Sequence, residues 1–162
     1  MRDTTGVERV RDVSLTVRAG EIVGIAGVAG NGQSELLAVL GGIMPAASGQ
    51  ILLNGRALPL SGREANGRSR RSAGIAHVPE DRHHLGLILD FTAWENVAFG
   101  YQDDPAYRRG PFMQNGVLIG ETEAKMQRFD VRPPLPRLEA KNFSGGNQQK
   151  IVLAREMERN PD

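Results

Sequence analysis

The chain has 162 residues, of which 40% are hydrophobic and 24% charged, a balance that is ordinary for a water-soluble globular protein. A formal net charge of +1 gives no domain-wide field to attract nucleic acid, and zero cysteines exclude disulfides and thiolate metal sites. No apolar run approaches the ~18 residues that a membrane span needs.

Four short segments of the first half are predicted to be strands. Residues 10–17 alternate apolar and polar positions and predict a half-exposed strand, whereas residues 22–26 predict a buried one. Residues 48–55 read as a strand that ends in an Asn-Gly turn, and residues 75–78 as a short apolar strand before Pro79. With the helix expected over residues 35–43, these pieces predict an α/β core with an antiparallel flank.

The second half is predicted to be mainly helical. Thr92 and Glu95 fit a capping box at a helix start, with Trp94 expected in the core. Residues 101–116 hold Pro and Gly breakers and predict an irregular loop, and residues 117–129 have helical composition. We therefore expect two helices separated by a loop.

A glycine loop lies between the predicted strand at 22–26 and the first helix. From Gly27 to Ser34 it follows the phosphate-loop pattern of Gly, four residues, Gly, Lys and Ser or Thr, except that Gln33 replaces the lysine. The backbone N–H groups can cradle a phosphate and the Ser34 hydroxyl can ligate Mg²⁺, but Gln33 cannot supply a full positive charge during phosphoryl transfer. We predict nucleotide binding with little turnover at Gly27, Gly30, Asn31, Gly32, Gln33, Ser34 and Glu35.

A second glycine-lined helix start follows about 110 residues later. Ser144 is a natural N-cap, and Gly145 and Gly146 leave the first N–H groups of the helix without side chains in front of them. These N–H groups lack intrahelical partners and carry the positive end of the helix dipole. The stretch therefore predicts an approach point for phosphate.

The two motifs in this order resemble the ATP-binding domain of ABC transporters, with residues 143–148 as the signature motif and residues 27–34 as a degenerate Walker A loop. Residues 74–82 resemble the strand and Q-loop of that family, with Glu80 where glutamine usually stands. The spellings Gly-Asn-Gly-Gln-Ser-Glu-Leu, Val-Pro-Glu-Asp-Arg and Ser-Gly-Gly-Asn-Gln-Gln-Lys are similar to the second ATPase half of tandem ATPases that drive simple-sugar and nucleoside importers. Residues 82–91 look closer to the nucleoside branch.

This resemblance implies a P-loop NTPase (ABC ATPase) fold of the α/β class, incomplete at the C-terminus because the Walker B strand would follow residue 162. It implies a nucleotide-binding core over residues 1–80, a helical subdomain over 81–143, and the signature motif with its helix over 144–162. The implied cofactors are ATP and Mg²⁺, with Ser34 and Glu80 near the metal. No catalytic residue is expected within the chain, and Thr4 and Thr5 stand where the family usually stacks adenine on an aromatic side chain.

The resemblance also implies partners. A second ATPase unit would form a head-to-tail sandwich, in which a γ-phosphate meets the signature residues in trans. These residues are Ser144, Gly145, Gly146, Asn147 and Gln148. The helical subdomain would contact a membrane permease on the cytoplasmic face of the inner membrane, where Phe91, Trp94 and Phe112 serve either that contact or internal packing.

Two other functions stay open at this point. Gln33 favours a regulatory unit that binds nucleotide without hydrolysis. A soluble ABC ATPase acting on nucleic acid or ribosomes is the other, and the basic cluster at residues 68–71 would serve it, although a solvated face is the expected role of that cluster. We expect no direct nucleic-acid partner.

Overall fold

The computed structural model describes residues 9–159 and 161, so Thr4 and Thr5 lie outside the described residues. The chain divides into two compact units, the first ending at Ala76 and the second beginning at His77. None of the helices in the described part of the chain has both the length and the apolar character needed to cross a bilayer.

The described part of the first unit contains two helices and one β-hairpin. Its elements are α1 Gln33–Leu40, β1 Ile51–Leu53, β2 Arg56–Leu58 and α2 Gly67–Ser72. The hairpin turn has positive φ at both Asn54 (49°) and Gly55 (77°), as a two-residue type I′ turn requires. The predicted strand ending in an Asn-Gly turn is therefore confirmed, and Ile51 lies opposite Leu58 in its register.

Three of the predicted strands are not formed. Residues 10–17, 22–26 and 75–78 pair with no strand, since the described residues contain only two antiparallel two-stranded sheets. The prediction of a buried strand at 22–26 is wrong, because Ile22 is 97% exposed. A strand is stable only when a neighbour satisfies its backbone groups, and apolar composition does not supply that neighbour.

The buried Arg70 side chain links separate segments of the first unit by hydrogen bonds. It is 2% exposed, donating from Nε to the Leu40 carbonyl at 3.1 Å and from Nη2 to the Pro59 carbonyl at 2.6 Å. Burial lowers the pKa of Arg70. The prediction that residues 68–71 form a solvated face is therefore wrong for Arg70, whose donors link α2 to the end of α1 and to the segment after β2.

The second unit is mainly helical. Its longer elements are α3 Ala93–Ala98, α4 Asn115–Arg128 and α5 Gly145–Met157, joined by a π-helix Arg82–Gly86, 3₁₀ turns Pro105–Tyr107 and Ala140–Asn142, and the hairpin of β3 Arg108–Arg109 with β4 Phe112–Met113. The capping box at α3 is confirmed. The segment predicted as an irregular loop contains a 3₁₀ turn and a hairpin, so that prediction is wrong in part.

The core of this unit lies where α3, α4 and α5 meet. Its buried apolar residues are Leu87, Ala93, Val97, Met126, Val131, Phe143, Ile151 and Val152. A smaller cluster beside it contains Tyr107, with Trp94 and Tyr101 packed against it. Trp94 is half-buried and belongs to this packing, whereas Phe112 is 75% exposed.

Candidate functional site

The glycine loop of the first unit leads directly into α1. Gly32 occupies the N-cap position with a left-handed φ of 100°, and a Cβ there would lie 2.4 Å from the Arg9 carbonyl oxygen. Gly30 is also left-handed, at 87°, with nothing within 4 Å of where its Cβ would lie. Glycine is therefore required at both positions, and the space in front of Gly30 is open to a ligand.

Gln33 folds back over this loop. Its Nε2 donates to the Val28 carbonyl at 3.3 Å and lies 2.0 Å from the point where a Cβ on Gly27 would stand. A side chain at position 27 would displace the flexible end of Gln33 from this position. One of the two Nε2 hydrogens is used by Val28, so the second can be donated to a phosphate oxygen as a neutral group.

The helix start at α5 is built as its sequence predicts. The Ser144 Oγ accepts a bond from the backbone N–H of Asn147 at 3.5 Å, which confirms Ser144 as the N-cap. Ser144 and Gly146 are exposed, and a Cβ on Gly146 would meet nothing within 4 Å. A Cβ on Gly145 would lie 2.8 Å from Nη2 of Arg82, so the guanidinium lies beside this helix start.

Asn147 uses its side chain inside the protein. Its Oδ1 accepts from the backbone N–H of Arg132 at 2.9 Å, and its Nδ2 donates to the Arg132 carbonyl at 2.7 Å and to Ser144 Oγ at 3.0 Å. The Asn147 side-chain amide thus forms two hydrogen bonds with the backbone of Arg132, as a residue of a neighbouring β-strand would. In this arrangement Asn147 orients the Ser144 hydroxyl.

Glu80 is exposed at the start of an open cleft, which is lined by Glu80, Asp81, Arg82, His83 and Leu85. Asp81 caps the π-helix, because its Oδ1 accepts from the backbone N–H groups of His83 at 2.9 Å and His84 at 3.1 Å. The hydrogen bond from the His84 ring, with help from these N–H groups, lowers the pKa of Asp81 to about 2. Asp81 is therefore an ionised structural cap.

The residues fit a nucleotide as phosphate ligands more clearly than as a metal site. The open positions at Gly30 and Gly146 leave room for phosphate oxygens at two helix starts. Ser34 and Glu80 belong to different units, each of which is described by itself. Across residues 9–159 and 161, no group of three His, Cys, Asp or Glu side chains has the arrangement that holds a metal ion.

Sequence reasoning missed three contributors to this site. Arg82 and His83 both form hydrogen bonds with Gln148, which lies 66 and 65 positions later in the chain. No local sequence pattern predicts contacts over such a separation. The local signal was Asp81 two and three residues before His83 and His84, which is a cap pattern. Arg132 contributes its backbone alone, so its side-chain identity carried no signal.

The sequence model of one protein family, described as ABC transporter, matches residues 10–162. The guanosine import ATP-binding protein NupO of Bacillus subtilis (strain 168) is 43% identical over all of this chain, which covers 31% of that protein. The nucleoside import ATP-binding protein NupA of Lactococcus lactis subsp. cremoris is 39% identical, again over all of this chain and 31% of the relative. The chain therefore spans about three tenths of the length of these relatives.

A solved structure has the same fold. The ATP-binding cassette MJ0796, in a dimeric post-hydrolysis state bound to ADP and Pi, superposes with a TM-score of 0.74 over 94% of this chain and 62% of that chain. At 23% identity this likeness concerns the fold alone. The predicted P-loop NTPase fold of the ATP-binding cassette type is confirmed.

Proposed function

Because the chain belongs to the ABC transporter family, we propose that it is part of the ATP-binding subunit of an importer for nucleosides or simple sugars. Membership of this family implies that the chain binds a nucleotide. The solute class is supported by relatives named for guanosine and nucleoside import, and at 39% identity by a glucose import ATP-binding protein of Haloferax volcanii. The relative named for guanosine import has the higher identity, 43% against 39% for the glucose import protein, which favours a nucleoside.

The observation that carries the proposal is the exposed start of α5. Ser144 caps the helix, Gly146 faces open space, and Arg82 places a cation beside Gly145. Partial charges at a helix start and a neighbouring guanidinium both favour an anion. In the proposed assembly this surface meets the γ-phosphate of ATP held by a second ATPase unit.

The glycine loop has a different role in the proposal. Gly30, Gly32 and Gln33 hold the phosphates of a second nucleotide, and Mg²⁺ supplies charge neutralisation with the Ser34 hydroxyl and Glu80 near it. Mg²⁺ keeps several of its waters and is usually held by one or two carboxylates together with the phosphates of the substrate. The neutral Gln33 amide predicts slow hydrolysis at this loop.

The proposed partner at the membrane is a permease that contacts residues 81–143 from the cytoplasmic side. This part of the chain exposes large apolar side chains, including Phe112 at 75% and Leu135 at 53%. Single exposed apolar side chains are normal on a protein surface, and in the proposed assembly the permease would cover these two. The subunit would then be peripheral to the membrane.

Ser144→Ala in the complete transporter tests the trans role. The change removes a hydroxyl that can donate to the γ-phosphate, and a hydrogen bond to a charged group contributes about 1.5 to 3 kcal/mol, so ATP turnover and solute uptake should fall roughly tenfold or more. Ser72→Ala, an exposed serine at the end of α2, is the matched control. Unchanged ATPase and uptake in Ser144→Ala would contradict the proposal.

A regulatory unit that binds ATP without turnover is the second candidate, and the fold of Gln33 onto the Val28 carbonyl favours it. The side chain is neutral and is already engaged within its own loop. Gln33→Lys separates the two functions in the complete protein. Faster hydrolysis indicates a dormant catalytic loop, and an unchanged rate with retained ATP binding indicates regulation.

A further inference from the structure

Gln148 is a buried polar side chain that directly follows the proposed phosphate contacts. It is 6% exposed, and its Nε2 donates to the Ala140 carbonyl at 3.0 Å. Its Oε1 meets His83 Nε2 at 2.8 Å and accepts a longer bond from Arg82 Nε at 3.4 Å. An amide enclosed in this way acts on a nucleotide only through its neighbours.

The orientation of the amide follows from its partners. Ala140 offers a carbonyl, which only the NH₂ end of Gln148 can satisfy, so Oε1 must face His83 and Arg82. Arg82 cannot accept a bond, which gives the same orientation independently. His83 therefore carries a hydrogen on Nε2 and donates it to Gln148.

The segment that bears Arg82 and His83 is fixed to α5 at further points. Arg155 donates from Nη1 to the Gly86 carbonyl at 2.8 Å. A Cβ on Gly86 would lie 3.3 Å from Val152 Cγ2, so the π-helix packs closely against the same face of α5. Gln148 makes the hydrogen bonds to this segment that lie nearest to Ser144, and it lies three residues after Gly145 on the same helix.

We propose that Gln148 is a positioning residue, which sets the start of α5 against the segment after Glu80 through His83 and Arg82. This inference rests on the proposed function, because the groups that it positions are the proposed phosphate contacts at Ser144 and Gly145. The hydrogen bonds of Gln148 to His83 and Arg82, which we call the clamp, also hold the Arg82 guanidinium beside Gly145. Without the Gln148 amide, neither the start of α5 nor the Arg82 guanidinium is held in its present position.

Gln148→Leu in the complete transporter tests the role, because leucine keeps the volume and removes all three bonds. We expect ATP turnover to fall about tenfold, as the loss of one or two net hydrogen bonds predicts, while the KM for ATP stays within about twofold. Gln149→Leu is the matched control. Gln149 is the next residue of α5, and within the described part of the chain its side chain makes no hydrogen bond.

His83 supplies the second arm of the experiment. His83→Ala should lower turnover and add little when combined with Gln148→Leu, because both changes break the same contact. His83→Gln keeps an N–H donor near the Nε2 position and should restore turnover to within about twofold of the natural protein. Thermal unfolding of each variant, compared with that of the natural protein, shows whether the variant is folded.

The outcomes separate the clamp from the function. Turnover of Gln148→Leu within twofold of the natural protein, or losses from Gln148→Leu and His83→Ala that multiply in the double variant, would overturn the positioning role while ATP hydrolysis stands. If Gln148→Leu fails to fold, the comparison of His83→Ala with His83→Gln decides alone, and equal turnover in both overturns the role. Absence of ATP turnover in the natural transporter and in Gln149→Leu overturns the proposed function and the clamp together.

Discussion

Replacing Glu156 by glutamine should cost far more stability than the same change at Glu158, although both side chains form ion pairs at the end of α5. Glu156 is fully buried and pairs with Arg155, which is 4% exposed, at 2.7 Å. Its Oε2 also accepts from the Tyr101 hydroxyl at 2.8 Å. Glu158 pairs at 2.6 Å with Arg128, whose side chain is 73% exposed.

The magnitude follows from burial. Glu156→Gln keeps the shape of the side chain but leaves the Arg155 cation in the core without its counter-charge, and breaking a buried pair in this way costs about 3 to 5 kcal/mol. Arg155 also donates to the carbonyls of Gly86 and Asn96, which still satisfy part of the guanidinium, so we expect a cost near the lower end of this range. The Arg128 side of the other pair is open to solvent while the Glu158 side chain is 16% exposed, so Glu158→Gln should cost about 1 kcal/mol, the upper end for solvent-accessible pairs.

Thermal unfolding of the 162-residue chain, followed by fluorescence, measures the difference in the second unit. Trp94 is the one tryptophan of the chain and packs against the cluster of Tyr107 and Tyr101, next to Glu156. At about 2 to 4 °C per kcal/mol for a chain of this size, Tm should fall by roughly 6 to 12 °C in Glu156→Gln and by about 2 to 4 °C in Glu158→Gln. Equal losses in the two variants would refute the argument from burial.

Two further predictions concern the first unit and the π-helix. Gly32→Ala should destabilise the chain by more than Gly30→Ala, because both need a positive φ at a cost of about 1 kcal/mol but only position 32 also collides with the Arg9 carbonyl; circular dichroism during urea unfolding compares them, and equal costs would contradict the collision. The π-helix should loosen between about pH 4 and pH 2, because a lowered pKa of Asp81 means that its contribution is complete above the unfolded pKa of about 3.9 and is lost as pH falls toward about 2. NMR signals of the His83 and His84 amides would report the change, and Asp81→Asn should remove the pH dependence.

Local chemistry made much of this structure predictable. The Thr92–Glu95 capping box, the Ser144 N-cap and the Asn54-Gly55 turn each depend on residues within three positions of one another. The glycine loop and the helix after it were found because the same short pattern serves phosphate wherever it occurs. Such features need no knowledge of the rest of the chain.

The errors have a common physical origin in distant partners. The apolar composition of residues 22–26 suits a strand, but pairing with another segment decides whether a strand forms. Arg70 was expected in solvent, and two carbonyls 30 and 11 residues away make its burial possible. The role of Gln148 as a signature residue stays a prediction, and its bonds to Arg82 and His83, 66 and 65 positions earlier, could not be read from the local sequence.

Because Asn147 pairs with Arg132 only through the backbone of that residue, the side chain at position 132 can be substituted. Because the amide is matched by an N–H and a carbonyl that any residue except proline offers, the side chain there can change while the contact survives. The Arg132 side chain is 80% exposed and forms a surface ion pair with Asp130. A cysteine placed at this position would give a fluorophore or spin label an attachment point one hydrogen bond away from the Ser144 helix start, where the approach of a second subunit could be followed directly.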